Sequence, residues 1–197
     1  MYIDRMDWRV TRAEARRLVL EEDAHRRERM PIFRNRPPLT PADIEAAMPY
    51  ASARNAFWRN LRTPRPIDEA IAGASPGQIV AYCVQYSHAD ICNGGFHQYF
   101  MNSTGDYASI TMEALRRLGD DRRAELMTRA MGRFAGGVAP KTQAQRQAAL
   151  ATIDFRSDWR GWIRPIEDAY YTLGHDDLDR RVRDYIASHP EDYFLDD

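Results

Sequence analysis

The chain has 197 residues, 44% of them apolar, which is enough for a core in one domain or in one domain with an appendage. A net charge of −1 at pH 7 gives no global pull toward nucleic acid or an anionic membrane. No apolar run approaches the ~20 residues that a bilayer span needs, and Met1 to Trp8 lack the apolar core of a signal peptide, so a cytoplasmic location is expected.

Helix-start signals recur along the chain. Thr11 with Glu14, Ser75 with Gln78 and Thr142 with Gln145 have the spacing of capping boxes, and Thr40 with Asp43 is a related start. Pro76 stands at a first helical position, where its missing N–H costs nothing. Alternating runs of strand length are nearly absent. The expected fold is therefore all-α: a compact multi-helix bundle with an N-terminal helical appendage. The expected division is residues 1–62 as the charged appendage and residues 63–197 as the main domain.

In chain order, a charged helix is expected from about Thr11 to Arg29, with the i,i+4 pairs Glu22–Arg26 and Asp23–Arg27 and a thin apolar face. Its interleaved acids cancel the field that nucleic-acid binding through its arginines would need. A proline-bearing stretch from Pro31 to Pro41 follows. Two short helices are then expected, broken before Ala51, and Pro64 and Pro66 mark a hinge. The main body opens with a helix from Pro76 to Cys92. A short helix, Gly95 to Asn102, comes next. The helix after it carries Tyr107, Ile110, Ala114, Leu115 and Leu118 as a 3.6-period stripe. Gly119 ends that helix and Asp120 starts another. Further helices are expected from Thr142, Arg164 and Asp176 onward.

Charge is unevenly spread. Residues 1–60 carry 12 Arg against 9 acids, whereas residues 154–197 carry 6 Arg against 12 acids. Within the last long helix, Asp177–Arg181, Asp179–Arg183 and Arg180–Asp184 have i,i+4 spacing and neutralise one another. The less compensated acids are Glu167, Asp168, Asp176, Glu191, Asp192, Asp196 and Asp197.

The densest motif is Asn93-Gly94-Gly95-Phe96-His97-Gln98-Tyr99-Phe100-Met101-Asn102-Ser103-Thr104-Gly105-Asp106. Asn93 and the Gly pair suit left-handed backbone at a helix–helix turn. Phe96 and Phe100, four apart, bury one aromatic face with Tyr99 beside them. Ser103 to Asp106 suit a turn and an N-cap.

Three chemistries are conceivable for the residues of this region. A Cys92 nucleophile with His97 as base rests only on nearness in sequence. A metal site of His88, Asp90 and His97 lacks metal-ligand spacing, since His88 and Asp90 fall on opposed sides of a helix. An anion seat at the N–H groups following Gly94-Gly95 is the best of the three, although the same atoms suffice for a turn. Cys83 and Cys92 are neither a zinc pattern nor a disulfide framework, and two reduced, mostly buried thiols are expected. No P-loop, nucleotide fingerprint or nucleophile elbow is present. The reading therefore assigns no catalytic residue, no metal and no cofactor. Trp159, Trp162, Tyr170, Tyr171, Tyr193 and Phe194 are read as packing aromatics.

The Asn-Gly-Gly-Phe-x-Gln-Tyr-Phe core with the following Asn-Ser-x-Gly-Asp resembles the signature of the bacterial DNA-mimic protein (DMP) C-terminal domain family, a domain of unknown function. Arg146 in its Gln-rich helix, and the run from Tyr170 to Phe194, extend the resemblance to about residues 75–195. It implies an all-helical fold, no catalytic residues and mimicry of DNA, with surface carboxylates standing in for phosphates. On that reading the protein is a non-enzymatic interaction domain. The seven acids named above meet a protein partner such as a DNA-binding regulator, with no direct contact to nucleic acid or membrane. The alternative is a small-anion-binding or hydrolytic site at Asn93–His97. A third reading gives residues 1–60 an assembly role, including a homodimer.

Overall fold

The computed structural model describes residues 8–60, 71, 73–153 and 160–195, with residues 58–60 described in backbone only. The fold is all-α: among the described residues no strand forms, and the one extended pairing is a parallel bridge between Val10 and Phe194. The chain separates into two units, one of Met1–Tyr82 with Ile186–Asp197 and the other of Cys83–Tyr185.

In the first unit, α1 (Arg12–Arg29) starts where the Thr11 hydroxyl accepts the Glu14 N–H at 3.1 Å. Its expected pairs form, Arg26 to Glu22 at 2.6 Å and Arg27 to Asp23 at 2.7 Å. Arg27 also donates to the carbonyls of Arg36 and Pro37, tying the proline-bearing stretch and the short α2 (Pro31–Arg34) back onto α1. The next helix, α3 (Pro41–Asn60), opens on reciprocal bonds between Thr40 and Asp43. It runs through Pro49 without the expected break. Burial of Met48, Ala51, Ser52, Ala53, Ala56 and Phe57 outweighs the single backbone bond that proline removes.

A complete capping box at Ser75 and Gln78 opens α4 (Pro76–Ile79), which passes into a π-helical turn, Val80–Val84. Gln78 is fully buried and fully used. Its Nε2 donates to the Trp8 carbonyl and the Ser52 hydroxyl, and its Oε1 accepts the Ser75 N–H. Ser52 in turn donates to the Tyr193 carbonyl at 2.8 Å. The buried polar groups thus connect four chain segments, which apolar contact alone would leave free to slide. Phe57 stacks on Tyr82 with centroids 4.0 Å apart, and Trp8 meets Phe57 edge-on. Asp192, in the 3-10 turn Pro190–Asp192, accepts the Gly77 N–H, and Leu195 N–H reaches the Val10 carbonyl at 3.0 Å.

The second unit is built on α5 (Gln85–Met101), interrupted inside by non-helical angles at Gly94 and Gly95. A 3-10 turn, Ser103–Tyr107, leads directly into α6 (Ala108–Arg117). No side chain caps α6, because the Asp106 carboxylate is turned to Arg146 instead. The expected α6 stripe is inward: Tyr107, Ala114, Leu115 and Leu118 are buried and Ile110 partly so. Asp120 caps α7 (Asp121–Met131), and Thr142 caps α8 (Gln143–Ala151). Two more helices follow, α9 (Arg160–Thr172), which contains Pro165, and α10 (His175–Ser188). The core of this unit gathers Ile91, Phe96, Tyr99 and Phe100 of α5 with Leu126, Met127, Phe134, Leu150, Ile163, Ile166 and Tyr170. Trp162 is exposed, contrary to its reading as a packing aromatic; Tyr171 is exposed but docks α9 on α5 through its hydroxyl, which donates to the Ile91 carbonyl at 2.9 Å; Tyr193 and Phe194 are buried in the first unit, and Trp159 lies outside the described residues.

Candidate functional site

The signature run forms a clasp at the centre of the second unit. Phe96, Tyr99 and Phe100 are completely buried; Phe100 meets Phe134 edge-on at 5.0 Å, and Phe96 meets Tyr170 at 5.6 Å. Gly95 has φ 73° and ψ −176°, a region closed to side-chain-bearing residues in practice. The kink there frees the Phe96 N–H, which donates to Glu167 Oε1 of α9 at 2.8 Å. A Cβ on Gly95 would collide with that same carboxylate. The anion seat at this helix start is thus filled by a carboxylate of the chain itself, 71 residues along the sequence. Burial raises the Glu167 pKa and the Phe96 N–H opposes the shift.

The far end of the clasp is closed by α8. Arg146 is entirely buried and donates to the carbonyls of Phe100, Asn102 and Pro140 at 2.8–3.0 Å. It lies 2.7 Å from Asp106, an ion pair by distance whose N–H is not aimed along the line of contact. Gln143 and Gln147 both donate to the Met101 carbonyl. The last carbonyls of α5 are therefore satisfied by side chains of another helix. Gly105 is needed for close approach, since a Cβ there would lie 2.7 Å from Arg146 Nε and 2.8 Å from the Tyr99 carbonyl. Asn102 donates to Asp90 at 2.9 Å, and the Thr104 hydroxyl binds the same carboxylate, so Asp90 braces the turn. Asn93 and Ser103 are exposed, and Gln98 folds back beside Gly94.

A second constellation stands on the outer part of α5. His88 and Cys92, one helical turn apart, face His175 at the first position of α10. His88 Nε2 is 2.7 Å from His175 Nδ1, and Cys92 Sγ is 3.6 Å from His88 Nε2 and 3.9 Å from His175 Nδ1. Tyr170 Oη holds the other ring nitrogen of His88 at 3.0 Å. Burial, then the nearby His175 and Arg123, lower the His88 pKa to about 4, so the imidazole is neutral at pH 7. Cys83 is buried, as expected for both thiols, but Cys92 is exposed. Burial around the sulfur raises the Cys92 pKa and leaves it a thiol at neutral pH. His97 and Asp90, which sequence spacing grouped with His88, take no part in this cluster of ligand-type atoms.

Arg123 organises the ground beneath it. It is 1% exposed, bonds Asp120 and the Gly174 carbonyl at 2.5 Å each, and reaches Asp177 at 3.3 Å. The Gly174 bond fixes the turn that delivers His175. Neither Arg123 nor His175 was legible as a site residue, because both act across more than 50 residues of sequence.

The acids singled out from the sequence are distributed as follows. Asp168 and Asp176 are exposed on the second unit, while Glu167 is half-buried and bound to Phe96 N–H. On the first unit Glu191 is exposed and Asp192 accepts the Gly77 N–H; Asp196 and Asp197 lie outside the described residues. Asp177 is held at about 2, well below the usual carboxylate range, first by Arg181 and then by Arg180 and Arg123. Arg180 also reaches Asp184, so two of the three neutralising pairs read from the sequence are formed. A pocket of about 260 Å³ in the first unit, among α1, α2 and α3, is lined by Glu22, Asp23, Arg26, Arg27 and Arg54, whose charges pair with one another. No described helix is long and apolar enough to cross a membrane.

No curated protein and no solved structure matches the chain. A family model described as DMP19-like protein matches residues 72–189, a span that contains the whole clasp and the helices around it. The resemblance carried by the Asn-Gly-Gly-Phe run thus extends across more than half the sequence, and the chain belongs to the family of DMP19-like proteins.

Proposed function

We propose that the protein is a non-enzymatic interaction domain that mimics a short stretch of DNA phosphates toward a basic, DNA-binding regulatory partner. The observation that carries this reading is membership of the DMP19-like family over residues 72–189. The charge of the chain supports it, since 12 acids fall in residues 154–197 against 6 arginines. The acids of this set that stand exposed are Asp168 and Asp176 on the second unit and Glu191 on the first, and each unit offers its own carboxylates to the partner. Duplex DNA carries a charge about every 1.7 Å of axis, so a set this sparse replaces a few phosphates rather than a long duplex.

The test is capture of partners from native lysate with the full chain, followed by competition. DNA-binding proteins should be retained at about 50 mM salt, displaced by duplex DNA, and released at about 500 mM salt, where screening is strong. The triple charge reversal Asp168→Lys, Asp176→Lys and Glu191→Lys should abolish retention while leaving the circular dichroism unchanged. Retention that ignores both salt and duplex DNA would overturn the reading.

A further inference from the structure

We infer that His88, Cys92 and His175 form a binding site for one zinc-type divalent metal ion, with a fourth position open to water. Each residue offers one ligand atom, and the three atoms lie within 4.8 Å of one another. Around a tetrahedral zinc ion, bond lengths of ~2.05 Å to nitrogen and ~2.3 Å to sulfur place a nitrogen and a sulfur ligand ~3.6 Å apart and two nitrogens ~3.3 Å apart. Both sulfur–nitrogen separations, 3.6 and 3.9 Å, fall at or just above that spacing. The two ring nitrogens, at 2.7 Å, share a hydrogen bond. They need to part by roughly 0.6 Å to admit the ion. His175 is exposed, so its ring has room to make that adjustment.

Two further features fit a metal ligand set. His88 and Cys92 are four residues apart on one helix, which aims both side chains to the same side. Tyr170 Oη occupies His88 Nδ1, the outer contact that typically fixes a ligating histidine and leaves Nε2 pointed at the ion. The positive charge of Arg123 is met by Asp120 and Asp177, and Asp179 adds negative charge toward His88. Binding changes no oxidation state. The Cys92 S–H bond breaks as the sulfur–metal bond forms, its proton leaves to solvent, and the His175 ring proton moves to Nε2. Sulfur and imidazole together select the zinc, cobalt and nickel class over magnesium or calcium. The sequence alone does not reveal the set, because His175 lies 83 residues beyond Cys92.

The full chain, stripped with a chelator, is titrated with Co²⁺ by absorption and with Zn²⁺ by calorimetry. One ion per chain is expected, with a thiolate-to-cobalt charge-transfer band and visible bands of tetrahedral strength that Zn²⁺ then bleaches. Zn²⁺ should also slow alkylation of Cys92, the exposed thiol, at least ~10-fold, as loss of free thiolate requires. Cys92→Ser should remove the charge-transfer band, and His175→Ala should weaken binding at least ~10-fold. Both positions are exposed, so circular dichroism of each variant reports whether the fold is kept. Absence of the thiolate band in the unmodified chain overturns the proposal. So does Zn²⁺ binding that folded Cys92→Ser and His175→Ala variants retain at full strength.

Discussion

Gly95 shows how much of the second unit depends on a single missing side chain. Its backbone lies in a region that costs a substituted residue about 1–3 kcal/mol. A methyl group there also pushes Glu167 off the Phe96 N–H, a charge-assisted bond worth about 1.5–3 kcal/mol. Gly136 is the natural control, because its φ of 72° is also positive but a Cβ there meets nothing within 4 Å. Gly95→Ala is therefore expected to lower unfolding free energy by at least ~2 kcal/mol more than Gly136→Ala. Urea unfolding measures both. In a Glu167→Ala background the gap should shrink, since the displaced contact is already gone. An unchanged gap would place the whole effect in the backbone.

At the scale of elements, most helix starts were legible because a cap is a local signal. Thr11, Thr40, Ser75, Asp120 and Thr142 all accept the N–H groups that their spacing implies. Breaks were less legible. Pro49 suggested a helix boundary, yet α3 runs through it, and α9 is already helical at Arg160, ahead of the expected start at Arg164. Packing decided those cases, and packing is not written in any short window of sequence. The same reason hid the roles of Arg146, which finishes the end of α5, and of Glu167, which takes up the N–H freed at its internal kink, each from a distant helix. The α10 start yields a pH prediction. The Asp177 pKa is lowered in the folded chain, so its stabilisation is present above the unfolded value of ~3.9 and is lost as pH falls through about 2. Asp177→Asn should cost less than ~1 kcal/mol at neutral pH, because the pairs are partly solvated and screened. The stability difference between the two chains should close between about pH 4 and pH 2 in acid-unfolding measurements. A difference that persists at the acid end would assign the effect to something other than the carboxylate charge.

At the scale of the whole molecule, the family match and the folding units divide the chain differently. Residues 72–189 hold all of Cys83–Tyr185 but only part of the first unit. A fragment of that span keeps Gln78 and Tyr82 while losing Trp8, Ser52 and Phe57, the groups that bond and stack on them. It is expected to bind a hydrophobic dye strongly, whereas residues 83–185, whose core is internal to them, should bind little and unfold cooperatively. Equal, weak dye binding by both fragments would show that the first unit contributes nothing to covering Tyr82.

The bridge between Val10 and Phe194 has a consequence for synthesis on the ribosome. Residues 83–185 are continuous in sequence and can fold as soon as they emerge. The first unit waits for Tyr193 and Leu195 to reach Ser52 and Val10, and those residues are made about a hundred positions after Tyr82. At ~5–20 residues per second, Val10, Ser52 and Gly77 spend about 5–20 seconds with that partner segment of chain not yet made. The unit whose translation starts earlier is then finished later than the one that follows it, and the interval is one in which a chaperone has something to hold.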